Sequence, residues 1–175
     1  MKIYIASSWK NQHGVEMLTA LLREKGHEVI SWIENNFGEL ETIRELSFEK
    51  WMKTEGAQRS FEFDTNGAAT SDLVIYLSPS GQDACAEVGI AWAKNIPIFG
   101  LYAKGEGIGL MRKMMVEWFE RFPDLLDAVD KLKIEKNPFA CYGNQRPHPM
   151  DFDTREEYEE RFKKWEEWEL AHIQF

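Results

Sequence analysis

The sequence predicts a doubly wound α/β domain: a parallel sheet of about five strands with helices on both faces, followed by a helical C-terminal extension. Two observations carry this. Short β-prone apolar runs recur along the first hundred residues, each closing on turn or N-capping residues, and stretches of helical periodicity separate them. Right-handed crossovers between parallel strands leave few other arrangements for such alternation, and they place ligands at the C-terminal ends of the strands.

The first strand is Lys2 to Ala6, with Ile3-Tyr4-Ile5-Ala6 as its core, and Ser7, Ser8 and Asn11 after it suit a loop and a helix start. Val15, Leu18, Leu21 and Leu22 then recur at helical spacing up to Gly26, a helix stop, and His27 to Ile33 reads as a second strand. Residues 39–62 are charged, with Leu40, Ile43, Leu46, Phe48, Trp51 and Met52 at helix-compatible intervals, which predicts one or two helices. Leu73-Val74-Ile75-Tyr76-Leu77 is the clearest buried strand, closed by Ser78-Pro79-Ser80-Gly81. A helix from near Asp83 to Lys94 leads to a strand over Ile96 to Leu101, with Pro97 near its start, where a strand tolerates it. Helices are expected over 106–121 and 123–132, separated by Pro123. A loop from Asn137 to Pro149 precedes a last helix, Thr154 to His172, in which Tyr158, Phe162, Trp165 and Trp168 share one face. The expected division is therefore residues 1–136 as the α/β domain and 137–175 as loop plus amphipathic helix, packed on the domain or on a partner subunit.

The 175 residues suffice for one domain with a real core, and the formal net charge of −9 argues against a nucleic-acid polymer as partner. Cys85 and Cys141 form neither a disulfide framework nor a metal spacing, and His13, His27, His148 and His172 share no ligand pattern, so no metal and no cofactor are expected. The opening run lacks the length and cleavage site of a secretory signal, and no apolar stretch approaches the length of a membrane span. The expected location is the cytoplasm, away from membranes. Gly105-Glu106-Gly107-Ile108-Gly109 follows the fourth strand rather than the first and lacks the Lys-Ser/Thr of a phosphate loop.

The most informative segment runs from Ser71 to Ala91: a buried strand, a Ser/Gly turn, and a helix with Glu87 about one turn inside it. There the helix N-terminal partial positive charge helps keep a carboxylate ionised, as a nucleophile requires, and Ala84, Ala86 and Gly89 leave room for a ligand. A surface Glu early in a helix is the alternative reading of the same position. Ser7, Ser8 and Lys10 together are candidates to hold an anion at the first helix, with a plain N-cap as the alternative for Ser8. Trp9 and Trp32 follow the first two strands and could stack on a base, with core packing the alternative for Trp32.

This order of elements resembles the nucleoside 2-deoxyribosyltransferase family, including its relatives the deoxynucleoside-monophosphate N-glycosidases and hydroxymethyl-CMP hydrolases. The features that carry the resemblance span residues 2–102: the opening strand with Tyr4 and the small-residue loop Ser7-Ser8; Asp64, eight residues before Asp72, with Asn66-Gly67 between them; the Ser/Gly turn; and Glu87-Val88-Gly89-Ile90-Ala91. The resemblance implies a flavodoxin-like sheet and an enzyme of nucleotide metabolism. Glu87 would attack C1′ of the sugar, Asp64 would act as acid or base near the exchanged groups, and Tyr4 would orient Glu87. Water as acceptor would give hydrolysis and a second base would give transfer. It also places a phosphate-binding Ser at Ser8, sets Asn66 near the site, and implies a homodimer or higher homo-oligomer acting on a small-molecule nucleoside or nucleotide.

Two departures favour hydrolysis or shift roles. The position six before Glu87, an Asp or Ser in those relatives, is Gly81, so either Ser80 or Asp83 stands in for it or the role is absent. Transferases of the family lend an Asn from a neighbouring subunit shortly after the fourth strand, and Gly105 to Met111 contains none. The C-terminal extension has no counterpart there, and its aromatic face reads as a packing or dimer surface. From a different class, the same fold could serve as a non-catalytic nucleotide-binding sensor or interaction module.

Overall fold

The computed structural model describes residues 1–35, 46–106, 109–132, 147, 149 and 152–172. The chain divides into two units, residues 1–132 and 133–175.

The first unit is a five-stranded, all-parallel sheet in the order β2-β1-β3-β4-β5. Its strands are β1 (Lys2–Ala6), β2 (Glu28–Ile30), β3 (Leu73–Leu77), β4 (Ile98–Leu101) and β5 (Glu117–Phe119). All five residues of β3 are buried, as expected of a strand covered on both faces. Asp72 locks the strand pair at its start, accepting from the Lys2 amide at 2.8 Å while its own amide donates to the Lys2 carbonyl at 2.7 Å. Side-chain alternation sends Tyr4, Ala6, Val74 and Tyr76 to one face and Ile3, Ile5, Leu73, Ile75 and Leu77 to the other.

Helices cover both faces. After a 3-10 turn at Trp9–Asn11, α1 (Gln12–Glu24) buries Val15, Leu18 and Leu22 and ends at Gly26, whose φ of +85° is the left-handed conformation that glycine adopts without strain. It shares its face with α6 (Phe122–Lys131), to which Lys25 is tied by an ion pair with Asp130. The Tyr4 face carries α4 (Glu55–Thr70) and α5 (Gln82–Ala93). Thr54 caps α4 by accepting from the Ala57 amide at 3.1 Å. Two short pieces, α2 (Trp32–Asn35) and α3 (Phe48–Trp51), lie before α4 in the chain.

Three local expectations need correction. The second strand stops at Ile30, because the chain turns at Ser31 and buries Trp32 from a helical turn, where its indole N–H donates to the Ile5 carbonyl at 3.1 Å. The helices expected over 39–62 are α3 and α4, and α4 runs eight residues further; the expected positions Leu40 and Ile43 lie outside the described residues. Where a helix was expected over 106–121, a 3-10 stretch (Leu110–Met114) leads into β5. The strand wins because Trp118 and Phe119 are both consumed by the sheet, on opposite faces. Phe119 packs on Phe99 at 5.4 Å between ring centroids, and Trp118 lies across Gly100, where a Cβ would stand 2.5 Å from the indole.

In the second unit α7 (Arg155–His172) is an 18-residue helix with most of its charged side chains exposed. Phe152, Tyr158, Phe162 and Trp165 follow one another at centroid distances of 6.0, 5.6 and 6.0 Å, so three of the four aromatic residues read from the sequence form a continuous ladder that Phe152 extends. Most of the Asn137 to Pro149 loop lies outside the described residues. Among the described residues, no helix is long and apolar enough to cross a membrane.

Candidate active site

Strand order reverses between β1 and β3, and the site lies beyond the C-terminal ends of these two strands, where doubly wound sheets open a crevice. Three elements feed it. Strand β1 contributes Tyr4, fully buried, and the Ser7-Ser8-Trp9 segment that follows. Helix α4 contributes Asp64 from the face that also carries Ala57, Ser60 and Phe61, and α5 contributes Asp83, Ala86, Glu87 and Ile90 at positions i, i+3, i+4 and i+7.

Asp64, Asp83 and Glu87 form the common wall of two lobes. The smaller, about 120 Å³, is lined further by Ser7, Ser8, Trp9, Trp32, Gly81 and Ala84. The larger, about 330 Å³, is lined mainly by apolar side chains, among them Phe48, Trp51, Met52, Phe61 and Ile90. A substrate with its reacting atom at Glu87 thus has space on either side of that atom.

Glu87 is only 8% exposed. Burial, then the neighbouring Asp64 carboxylate, raises its carboxyl from an ordinary 4.5 to about 8; Tyr4 works against the rise and Asp83 adds a little to it. The Tyr4 hydroxyl is itself pushed well above the usual phenol range, first by burial and then by the Glu87 and Asp64 carboxylates. It lies beside both acids without a hydrogen bond of standard geometry, and Glu87 Oε2 is likewise buried without a hydrogen-bond partner. The N-terminal partial charge of α5, expected to keep Glu87 ionised, is opposed by burial and by Asp64, which shift the carboxyl toward its protonated form. A buried carboxyl that holds its proton more tightly beside a second acid is suited to acid–base work at a bond that needs both a nucleophile and a proton donor.

The other predicted residues divide. Gly81 is the residue before α5, and Asp83 is exposed at the wall shared by the lobes. Ser80 lies outside both lobes with its hydroxyl bonded to the Tyr76 hydroxyl at 2.5 Å, so Asp83 is the better-placed stand-in. Ser7 lines the smaller lobe but donates to the Leu77 carbonyl at 2.8 Å, clasping the ends of β1 and β3. Ser8 makes no capping bond, and its hydroxyl oxygen is buried without a hydrogen-bond partner. Trp9 is 41% exposed and meets the buried Trp32 edge to face at 4.6 Å, so Trp9 has surface available for stacking while Trp32 belongs to the core and shows only part of its ring. Lys10 and Asn66 are exposed and line neither lobe. Among the described residues, no group of three or more His, Cys, Asp or Glu could hold a metal ion.

Sequence reasoning missed the larger lobe. Its signal was present as Ala57, Ser60, Phe61 and Asp64 at i, i+3, i+4 and i+7, visible only once the helix is known to continue beyond residue 62.

The chain matches no protein-family model and no curated protein. Among solved structures it is similar to the 2-deoxyribosyltransferase of Bacillus psychrosaccharolyticus, at 25% identity and a TM-score of 0.54 over 71% of this chain and 90% of that one. It also matches the CMP N-glycosidase of Clostridium botulinum, at 17% identity and a TM-score of 0.49 over 74% of this chain and 99% of that one. The transferase is an enzyme of the family the sequence resembles, and the five-stranded parallel sheet is consistent with its flavodoxin-like fold.

Proposed function

We propose that this protein cleaves the base–sugar bond of a nucleoside or nucleoside 5′-monophosphate through a covalent glycosyl-Glu87 intermediate and hands the sugar to water. The observation that carries the reading is the meeting of Asp64 and Glu87 at one wall between two lobes, beyond the ends of β1 and β3, with the buried Tyr4 hydroxyl beside both carboxyl groups. The likeness to a 2-deoxyribosyltransferase supports glycosidic chemistry of this class.

The proton held by the Glu87–Asp64 pair is the one the departing base needs. With that proton on Asp64, the Glu87 carboxylate attacks C1′ while the C1′–N bond breaks, and the base leaves with the bonding pair and takes the proton. The Tyr4 hydroxyl steadies the Glu87 carboxylate. Asp64, now ionised, draws a proton from water, which attacks C1′ and releases Glu87 from its ester; two inversions give net retention. The base would stack on the exposed face of Trp9 in the smaller lobe, with Asp83 accepting from a sugar hydroxyl.

Transfer of the sugar to a second base is the alternative, favoured by the structure the chain matches. The test is to incubate the protein with a panel of nucleosides and 5′-monophosphates, with and without an acceptor base, and to follow free base by chromatography beside Glu87→Ala. Base release lost in the variant supports the glycosidic reading, and a new nucleoside in the acceptor lanes identifies transfer. No release from any substrate moves a non-catalytic binding role to the front.

A further inference from the structure

Gly67 occupies an odd place for a glycine. It is buried in the last turn of α4, its φ lies outside the left-handed region, and no backbone torsion calls for it. Glycine is less favourable than alanine inside a helix, so another constraint must hold it there. That constraint is space. A Cβ at Gly67 would stand 2.6 Å from Cδ2 and 2.8 Å from Cε2 of Tyr4, distances that side-chain atoms do not tolerate.

The Tyr4 ring has no easy retreat. Its residue sits in β1, paired to Ile30 of β2 on one side and Val74 of β3 on the other, and it is fully buried. Any relief must come from α4. Asp64 stands one turn earlier on that helix, facing Tyr4 and Glu87, so moving α4 away from the ring moves Asp64 with it.

We infer that Gly67 is a positioning residue: by letting α4 rest on the Tyr4 ring it sets where the Tyr4 hydroxyl, Asp64 and Glu87 meet. This rests on the reading of those three groups as the reacting machinery. Groups in such a cluster act only when held within a fraction of an ångström, and a displacement of about 1 Å costs about a hundredfold in rate.

The experiment compares Gly67→Ala with the parent, with Tyr4→Phe, with the double variant of the two, and with Gly89→Ala. The last makes the same change in the neighbouring helix α5, at a position that lines neither lobe, contrary to the room for a ligand expected there, and where a Cβ meets nothing within 4 Å. The expected result is a fall in kcat of about ten- to a hundredfold in Gly67→Ala with KM within about threefold, against a change within about twofold for Gly89→Ala. The double variant should lose less than the product of its parents' separate losses, since both changes disturb one cluster of coupled groups.

A second readout is independent of turnover. Thermal stability of the parent should fall as pH rises from 5 to 8, because the folded chain holds the Glu87 proton beside Asp64 of α4, Asp83 of its own helix and Tyr4, and Gly67→Ala should flatten that fall by drawing Asp64 away from Glu87. An unchanged kcat, multiplicative losses in the double variant, or an unchanged pH dependence of unfolding would each overturn the inference. If the parent releases no base at all, the proposed function fails, while the unfolding comparison still decides the role of Gly67. If Gly67→Ala does not fold, Gly67→Ala/Tyr4→Leu decides instead: recovery to the stability of Tyr4→Leu upholds the ring contact, and no recovery overturns it.

Discussion

The two lobes on either side of Asp64, Asp83 and Glu87 are built differently. The smaller is a product of topology: its floor and rim are the residues that follow β1 and β3, and Ser7 and Asn11 tie those two strand ends together through the Leu77 and Pro79 carbonyls. The larger is a product of helix surface, made by side chains of α3, α4 and α5, with Phe48, Met52 and Phe61 more than half exposed. A lobe tied into a parallel sheet holds its shape, whereas one made from exposed side chains adjusts. The comparison assigns recognition near the scissile bond to the smaller lobe and tolerance to the larger.

The largest effect that tests this comparison is at the wall itself. Glu87→Gln keeps the shape of the side chain and removes the proposed nucleophile, and base release is expected to fall by at least about a thousandfold in a timed chromatographic assay. Asp64→Asn removes the proton donor, and its loss should be about a hundredfold or more, smallest for substrates whose base leaves without needing a proton.

The pH dependence comes next. Because Glu87 is raised from 4.5 to about 8, the shared proton is present at neutral pH and is lost above about 8, so kcat should decline on the alkaline side. For stability the sign is the same. Below 4.5 folded and unfolded chains both hold the proton; between 4.5 and 8 only the folded chain does, and its stability falls as pH rises; above 8 the full cost of a buried carboxylate remains. Glu87→Gln should therefore unfold at higher temperature than the parent at pH 8.5 and show a much smaller difference at pH 4.5.

The smallest effects separate the lobes. Trp9→Ala should raise KM about tenfold by removing a stacking surface, whereas Phe61→Ala should change KM by less than about threefold. Equal effects would break the distinction between a recognising lobe and a tolerant one.

Much of this was legible in the residues. Strands β1, β3 and β4 announce themselves as short apolar runs, and the helix carrying Glu87 follows from the Ser/Gly turn before it. Asp64 could be named as a site residue only through the family resemblance, because the helix beneath it was expected to end at residue 62. Its extension to Thr70 depends on burying Gly67 and Ala68 against β1, a tertiary contact that periodicity does not display. Strand β5 was hidden for a related reason: three residues carry too little pattern, and they extend because β4 offers an open edge and Gly100 leaves room for Trp118. A helix terminus near Glu87 can be read along the chain, whereas the burial and the approach of Asp64 that raise its carboxyl come only with the fold.

The central claim is that Glu87 forms a bond to the sugar. Its most direct test is to quench the protein during turnover of a substrate it cleaves and to map its peptides by mass spectrometry. The account predicts a mass increase equal to one bound sugar on the peptide containing Glu87, absent in Glu87→Gln. Steady base release with no sugar on that peptide, and an inverted anomer as the first product, would contradict it.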